Sequence, residues 1–248
     1  AEITKDDSID GGDGTDTLVI VSAADLSGTT KPTATNVEKV NYTFESGITK
    51  FDTSGVASLT DFIVDSLTDD AAYAINNLAD GATVQLEVET TAAAVTYDTA
   101  GTTLTLHTKG NTATTATISD AVTLNITAGA AATNDISALV LDDDVTTTLT
   151  LTGSTTDGSD LLTGNITKTN LLSSITASST NTGGLITVGT VADGDALTSI
   201  VIDADKGNIS FSDIAGSGSA EGLATITLTA NNGATATLST TTADTTDS

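Results

Sequence analysis

The segment "ALTSIVIDADKG" returns as "GLATITLTANNG": Leu197, Ile200, Ile202, Ala204 and Gly207 map onto Leu223, Ile226, Leu228, Ala230 and Gly233 at a constant offset of 26. The kernel is an apolar residue, two polar residues, then two apolar residues two apart. It recurs at Val37, Val40 and Tyr42, at Leu59, Phe62 and Val64, and at Leu172, Ile175 and Ala177. With the first position relaxed to any small residue, Val84 with Leu86, Leu104 with Leu106, Leu124 with Ile126, and Leu149 with Leu151 join the series. Kernels then begin near 37, 59, 81, 101, 121, 146, 172, 197 and 223, with spacings of 22, 22, 20, 20, 25, 26, 25 and 26.

A unit this short cannot bury an apolar face alone, so its neighbours must stack on it. The alternation inside each kernel is that of a strand with one buried side. Many intervals carry a second alternation: Val95 and Tyr97, Leu139 and Leu141, Ile186 and Val188, Ile209 and Phe211. The pattern predicts an all-β chain, a parallel β-solenoid with rungs of about 20–26 residues, in which Ile200 lies over Ile226. The alternative is a set of tandem antiparallel β-sandwich domains. Small hydrophobes, with four Phe, three Tyr, no Trp and one Pro, favour thin stacked layers over a large core. The expected organisation is a nonapeptide turn and lead-in strand over 1–30, the repeat region over 31–240, and a polar tail over 241–248.

The turn is "GGDGTDTLV", residues 11–19, a complete G-G-x-G-x-D-x-U-x nonapeptide. In arrays of such units the first six residues hold calcium and the last three form a short strand. Gly11, Gly12 and Gly14 allow backbone conformations closed to other residues, while Asp16 supplies charge; Asp10 and Asp13 are local candidates to complete the shell. One nonapeptide supplies half a shared site, so Asp10, Asp13, Asp6 or Asp7, or a turn lost upstream, would have to complete it. A degenerate echo stands at "TTDGSDLLTG", with Asp157 and Asp160. The bland reading of both is a Gly-rich corner with Asp for turn propensity. "DDD" at 142–144 and "DGD" at 193–195 read as solvated corners.

Charge narrows the partners. There are 33 acidic residues against seven basic ones, all Lys, for a formal charge of −26. Such a surface repels nucleic acid and anionic membranes and lacks the guanidinium forks that read phosphate. The hard-cation chemistry of Asp makes Ca2+ the natural counter-ion. No Cys excludes disulfides and thiolate chemistry. The lone His107, in "LTLHT", has the parity opposite to Leu104 and Leu106, hence the exposed face, so no histidine-based catalytic constellation is expected. No apolar run approaches the length of a membrane span. An opening Ala in place of Met reads as a processed or excised segment.

"DGGDGTDTLVI", then "NVEKVNYTF", then a long Thr-, Ala- and Gly-rich series of short strands resembles the RTX-type surface-layer proteins of Gram-negative bacteria. The resemblance is specific over residues 8–45 and stylistic beyond them. It implies an extracellular, calcium-dependent, self-assembling structural protein, not an enzyme. Its partners would be copies of itself, with anchoring to cell-surface glycan or lipopolysaccharide through a region outside these residues. The metal role carries over to Gly11, Gly12, Gly14 and Asp16. Two departures stand out: the family's tandem nonapeptides are missing, and "STTTADTTDS" is merely polar. A spacer or ligand-binding module of a large secreted adhesin is the second reading. A polysaccharide-acting enzyme is the third, and the lone His and absent Trp weigh against it.

Overall fold

The structure, a computed structural model, describes residues 7–22, 25–44, 49–67, 72–86, 94–109, 111–113, 115–131, 133–142, 145–167, 169–192, 196–215 and 225–239. Asp6, Asp143 and Asp144, the 193–195 corner, the kernel residue Leu223 and the 241–248 tail lie outside them.

The apolar alternation closes into two parallel sheets. The first stacks β2 (Thr17–Ser22), β4 (Lys39–Phe44), β6 (Asp61–Leu67), β8 (Ala82–Leu86), β10 (Thr103–Thr108), β13 (Thr123–Ala128), β15 (Thr148–Thr152), β17 (Ser174–Ser179), β19 (Ser199–Asp205) and β21 (Thr225–Asn231). The second stacks β5 (Thr49–Asp52), β7 (Tyr73–Leu78), β9 (Val95–Thr99), β12 (Ala116–Ser119), β14 (Thr133–Leu141), β16 (Asp160–Thr167), β18 (Leu185–Val191), β20 (Asn208–Ile214) and β22 (Ala236–Leu238), with β11 (Asn111–Ala113) also on β14. The chain alternates between the sheets, one strand in each per turn, so it winds as a β-solenoid. Every ladder among the described residues is parallel, against the sandwich alternative, and Ile200 lies over Ile226 as the repeat predicts.

At the N-terminal end a third short side opens the cross-section: β1 (Ser8–Asp10) pairs with β3 (Thr33–Thr35), and Ala34 bridges Val56. Nothing in the kernel pattern signals this ladder.

The second-strand alternations are all realised: Val95, Tyr97, Leu139, Leu141, Ile186, Val188, Ile209 and Phe211 are buried. Their partners from the first sheet, such as Leu124, Leu149, Ile175 and Ile200, complete one continuous core. Each such side chain contributes about 1.5–3 kcal/mol on burial. β-branched Thr dominates the outward positions, where it suits the pleated surface. Corners turn through left-handed residues: Asn36, Asp120, Lys206 and Asn232 have φ of 53°, 63°, 71° and 53°. Asn and Asp tolerate that region better than other side-chain-bearing residues.

One register differs from the kernel spacing. The pattern places Leu104 over Val84, whereas the ladder sets Leu104 over Ala82 and Leu106 over Val84, a slip of two residues. A slip of two keeps every side chain on its face, so the apolar pattern cannot detect it. The corner decides instead: Asp80 Oδ1 accepts from the backbone N–H of Thr102 (2.8 Å) and Thr103 (2.9 Å). Gly101 lies so close that an added Cβ would stand 2.3 Å from Asp80 Cα.

Candidate functional site

The nonapeptide turn lies across the N-terminal rung, held on both sides. Ahead of it, Gly11 N donates to Thr35 O at 3.0 Å. Behind it, Asp16 O accepts from Glu38 N (3.2 Å) and Lys39 N (3.0 Å), and Asp16 N donates to Glu38 Oε2 at 2.8 Å. The glycines have different reasons. Gly11 is demanded by packing, since a Cβ there would fall 1.9 Å from Asn36 O, while Gly12 and Gly14 adopt φ of +87° and +128°.

The acidic residues also divide. Asp10 Oδ1 accepts from Gly12 N (3.1 Å) and Asn36 Nδ2 (2.8 Å), so it braces the turn to the next rung. Asp13 is exposed at the tip. Asp16 lies under the turn: its Cβ is 2.8 Å from where a Gly11 Cβ would be, and its Oδ2 is 4.0 Å from the equivalent point at Gly14. That Oδ2 is buried with no hydrogen-bond partner. A buried carboxylate oxygen without a partner carries a desolvation cost that a cation removes. The turn therefore fits a hard cation at one oxygen. Among the described residues, no group of three or more His, Cys, Asp or Glu side chains converges on a common metal position.

Glu38 is the residue that sequence reading missed beside this turn. Its signal was available, because it stands 22 residues after Asp16, the local rung spacing, and so stacks against it.

The echo at 157–160 is a different object. Asp157 Oδ1 accepts from Thr182 N at 2.8 Å and Asp160 Oδ1 from Leu185 N at 2.8 Å. Each joins its own rung to the next. The same device recurs through the stack: Asp25 Oδ1 takes Lys50 N (2.8 Å), Asn165 Oδ1 takes Thr190 N (3.1 Å), and Asn208 Oδ1 takes Thr235 N (2.9 Å). Asp52 gathers Ser54 N (3.0 Å), Asn77 Nδ2 (3.0 Å) and Lys31 Nζ (3.1 Å). Burial opposes its ionisation, yet these hydrogen bonds hold its carboxyl below the usual carboxylate range. The Thr102 and Thr103 N–H groups do the same for Asp80. Inside the corners, buried Asn181 donates to Thr156 O (3.0 Å) and Ser159 O (3.1 Å), and Asn134 to Asp160 O (2.9 Å).

His107 is exposed on β10, as its parity requires. No helix among the described residues is long and apolar enough to cross a membrane, which says nothing of spans made by strands. Comparison of the chain with family models, with curated proteins and with solved structures found no match.

Proposed function

We propose that this chain is a structural, self-assembling surface-layer protein of the RTX type, or a segment of one, working outside the cell with Ca2+. The observation that carries the structural reading is how the polar side chains are used. Asp25, Asp80, Asp157, Asp160, Asn165 and Asn208 each accept a backbone N–H from the following rung. Groups that would otherwise do chemistry are engaged in holding one rung to the next. What results is a stiff rod with two long faces of outward Thr and carboxylate.

Calcium enters at two levels. Within the chain it sits at the nonapeptide turn, where the buried Asp16 Oδ2 has no hydrogen-bond partner and Asp10 and Asp13 stand nearby in sequence. Between chains, surfaces with seven Lys and 33 acidic residues cannot meet mainly through salt bridges, so shared divalent ions must bridge them. Anchoring on cell-surface glycan or lipopolysaccharide belongs to a region outside these residues. The reading as a spacer of a secreted adhesin shares the fold and the calcium turn and differs in predicting no lattice.

The test is a calcium titration followed by light scattering and negative-stain imaging at fixed ionic strength. Assembly into sheets, tubes or filaments is expected as calcium rises through about 10⁻⁴ to 10⁻³ M, the range of extracellular calcium modules, and should reverse on chelation. Monovalent salt substitutes poorly, because screening supplies no bridge. Particles that stay dispersed while binding calcium favour the adhesin spacer, and ordered arrays that form equally well in chelator remove the calcium bridge.

A further inference from the structure

The corner that leads into the first sheet repeats one hydrogen-bond device. The residue just ahead of a strand reaches back with its hydroxyl to the backbone carbonyl at the same place one rung earlier. Thr60 Oγ1 donates to Glu38 O (3.2 Å), Thr147 Oγ1 to Val122 O (3.4 Å), Ser173 Oγ to Thr147 O (3.0 Å) and Thr198 Oγ1 to Ser173 O (3.1 Å). Glu38 stands in this column too, because Lys39 after it pairs with Thr17 on one side and Asp61 on the other. It departs from the device. A carboxylate has no hydrogen to donate and can only accept, and Glu38 Oε2 accepts from Asp16 N at 2.8 Å.

Both backbone polar groups of Asp16 are therefore tied to the next rung. Its N–H goes to the Glu38 side chain, and its carbonyl accepts from Glu38 N (3.2 Å) and Lys39 N (3.0 Å). The other acidic corners are arranged the opposite way round. Asp25, Asp80, Asp157 and Asp160 each use Oδ1 to accept a backbone N–H of the next rung. At Asp16 the rung-to-rung bonds are made without its side chain, whose Oδ2 stays buried with no hydrogen-bond partner. An Asp in a turn ordinarily bends back to nearby backbone N–H groups, its own included. With Glu38 on the Asp16 N–H, the nearest of those donors is already taken.

We propose that Glu38 is the positioning residue of the nonapeptide turn: by accepting the Asp16 N–H from the next rung, it keeps the Asp16 carboxylate under the glycines and open to Ca2+. The inference rests on the calcium reading of the turn and adds to it a residue outside the nonapeptide. The site is then built from two rungs, and residues 11–19 hold the ion only while β4 is stacked on β2. Partners that orient a metal ligand without touching the metal typically cost about 10–100-fold in affinity when removed.

The test follows the amide NMR signals of Gly12 and Gly14 while calcium chloride is titrated into the whole chain at fixed ionic strength, for the wild type, Asp16→Ala, Glu38→Thr and Glu38→Gln. Glu38→Thr installs the residue type that the column uses elsewhere, so the introduced hydroxyl can reach Asp16 O as Thr60 reaches Glu38 O, and the rungs stay paired. It leaves the Asp16 N–H without its carboxylate acceptor, and calcium affinity should fall about 10–100-fold. Glu38→Gln keeps a side-chain oxygen for that N–H and should recover most of the loss. Amide exchange of β2 and β4 in chelator should match the wild type in both Glu38 variants. Wild-type affinity in Glu38→Thr overturns the proposal. So does a Glu38→Gln protein that falls as far as Glu38→Thr, which would make the Glu38 carboxylate a ligand in its own right. A loss in Glu38→Thr that comes with faster exchange in β2 and β4 also overturns it, assigning the effect to rung pairing. Wild-type Gly12 and Gly14 signals that ignore calcium, or that move equally in Asp16→Ala, remove the calcium reading itself. Affinity lost in Asp16→Ala but kept in Glu38→Thr removes the role of Glu38 alone.

Discussion

The rungs up to β13 and the rungs after it are built to different widths. In the early part Val40 lies over Phe62 and Leu104 over Leu124, steps of 22 and 20 residues; later Leu124 lies over Leu149 and Leu149 over Ile175, steps of 25 and 26. The extra residues go largely to the second sheet, whose strands lengthen from four to six residues in β7, β9 and β12 to seven to nine in β14, β16, β18 and β20. The fillings differ to match. Tyr42, Phe51 and Phe62 pack together in the early section, with the rings of Tyr42 and Phe62 each 5.2 Å by centroid from Phe51 in edge-to-face contact. Tyr73 and Tyr97 follow, edge to face at 6.1 Å with their hydroxyls 2.7 Å apart. Past Tyr97, Phe211 is the one buried aromatic among the described residues, and Leu, Ile, Val and Ala do the filling. A solenoid can thus change its circumference between rungs if corner and core change together.

The largest expected effect is a cavity in the aromatic part. Phe62→Ala should cost about 3–5 kcal/mol in denaturant-induced unfolding. Equal losses from Phe62→Ala and from truncating a half-exposed residue such as Leu228 would show that the aromatic cluster is not a special filling.

Alkaline pH separates the same two regions. All three tyrosines lie in the early rungs. Burial pushes Tyr42 up from 10.0 to about 12, with the Ser22 hydrogen bond opposing and Asp25 adding to the rise. Burial likewise pushes Tyr73 and Tyr97 up. Groups with a raised folded value favour the protonated, folded state, so their contribution is complete below the unfolded value of 10 and is lost as pH rises through the folded one. Hydrogen exchange should show the early rungs opening first above about pH 10, with tyrosinate absorbance appearing at the same step. Tyrosines that ionise near their ordinary value while the fold stays intact would contradict this.

A smaller effect is expected on the acid side. The Asp80 carboxylate is held low by the Thr102 and Thr103 N–H groups, so its stabilisation is present above the ordinary carboxylate value and fades as pH falls through the lowered one. Asp80→Asn keeps an acceptor without the charge and should flatten the acid limb of the melting temperature against pH. An unchanged limb would assign acid sensitivity to other carboxylates. Leu228→Ala should have the least effect on stability, because that side chain is half exposed on β21.

Much of the rod was legible in the chain because period and alternation are properties of single strands. The kernel at Leu197 and Leu223 carried the stacking of β19 on β21, and the parity of His107 carried its exposure. What escaped depends on residues a full rung apart. The slip at Ala82 is set by Asp80 meeting Thr102, and the third side by β1 meeting β3. Gly11 belongs to the nonapeptide pattern, yet its closest demand comes from Asn36 on the next rung. Asp157 and Asp160 carry the Gly-Asp-Leu rhythm in sequence, and what the sequence does not display is that the Oδ1 of each accepts a backbone N–H from the next rung. Of the turn itself, the place of Asp16 beside the glycines was legible from spacing, whereas its neighbour Glu38 was visible only once the rung spacing was applied to it.

The most direct measurement is hydrogen exchange on the intact chain with and without calcium, resolved by segment, for the wild type and Asp16→Ala. Calcium held at the Asp16 oxygen should add protection to the nonapeptide turn and the strands it ties together, β1 to β4, and leave the rungs from β15 to β21 unchanged; Asp16→Ala should abolish the gain. Protection that rises evenly along the rod, or that survives Asp16→Ala, would contradict a calcium site at the turn and leave the acidic residues as hydrogen-bond acceptors between rungs.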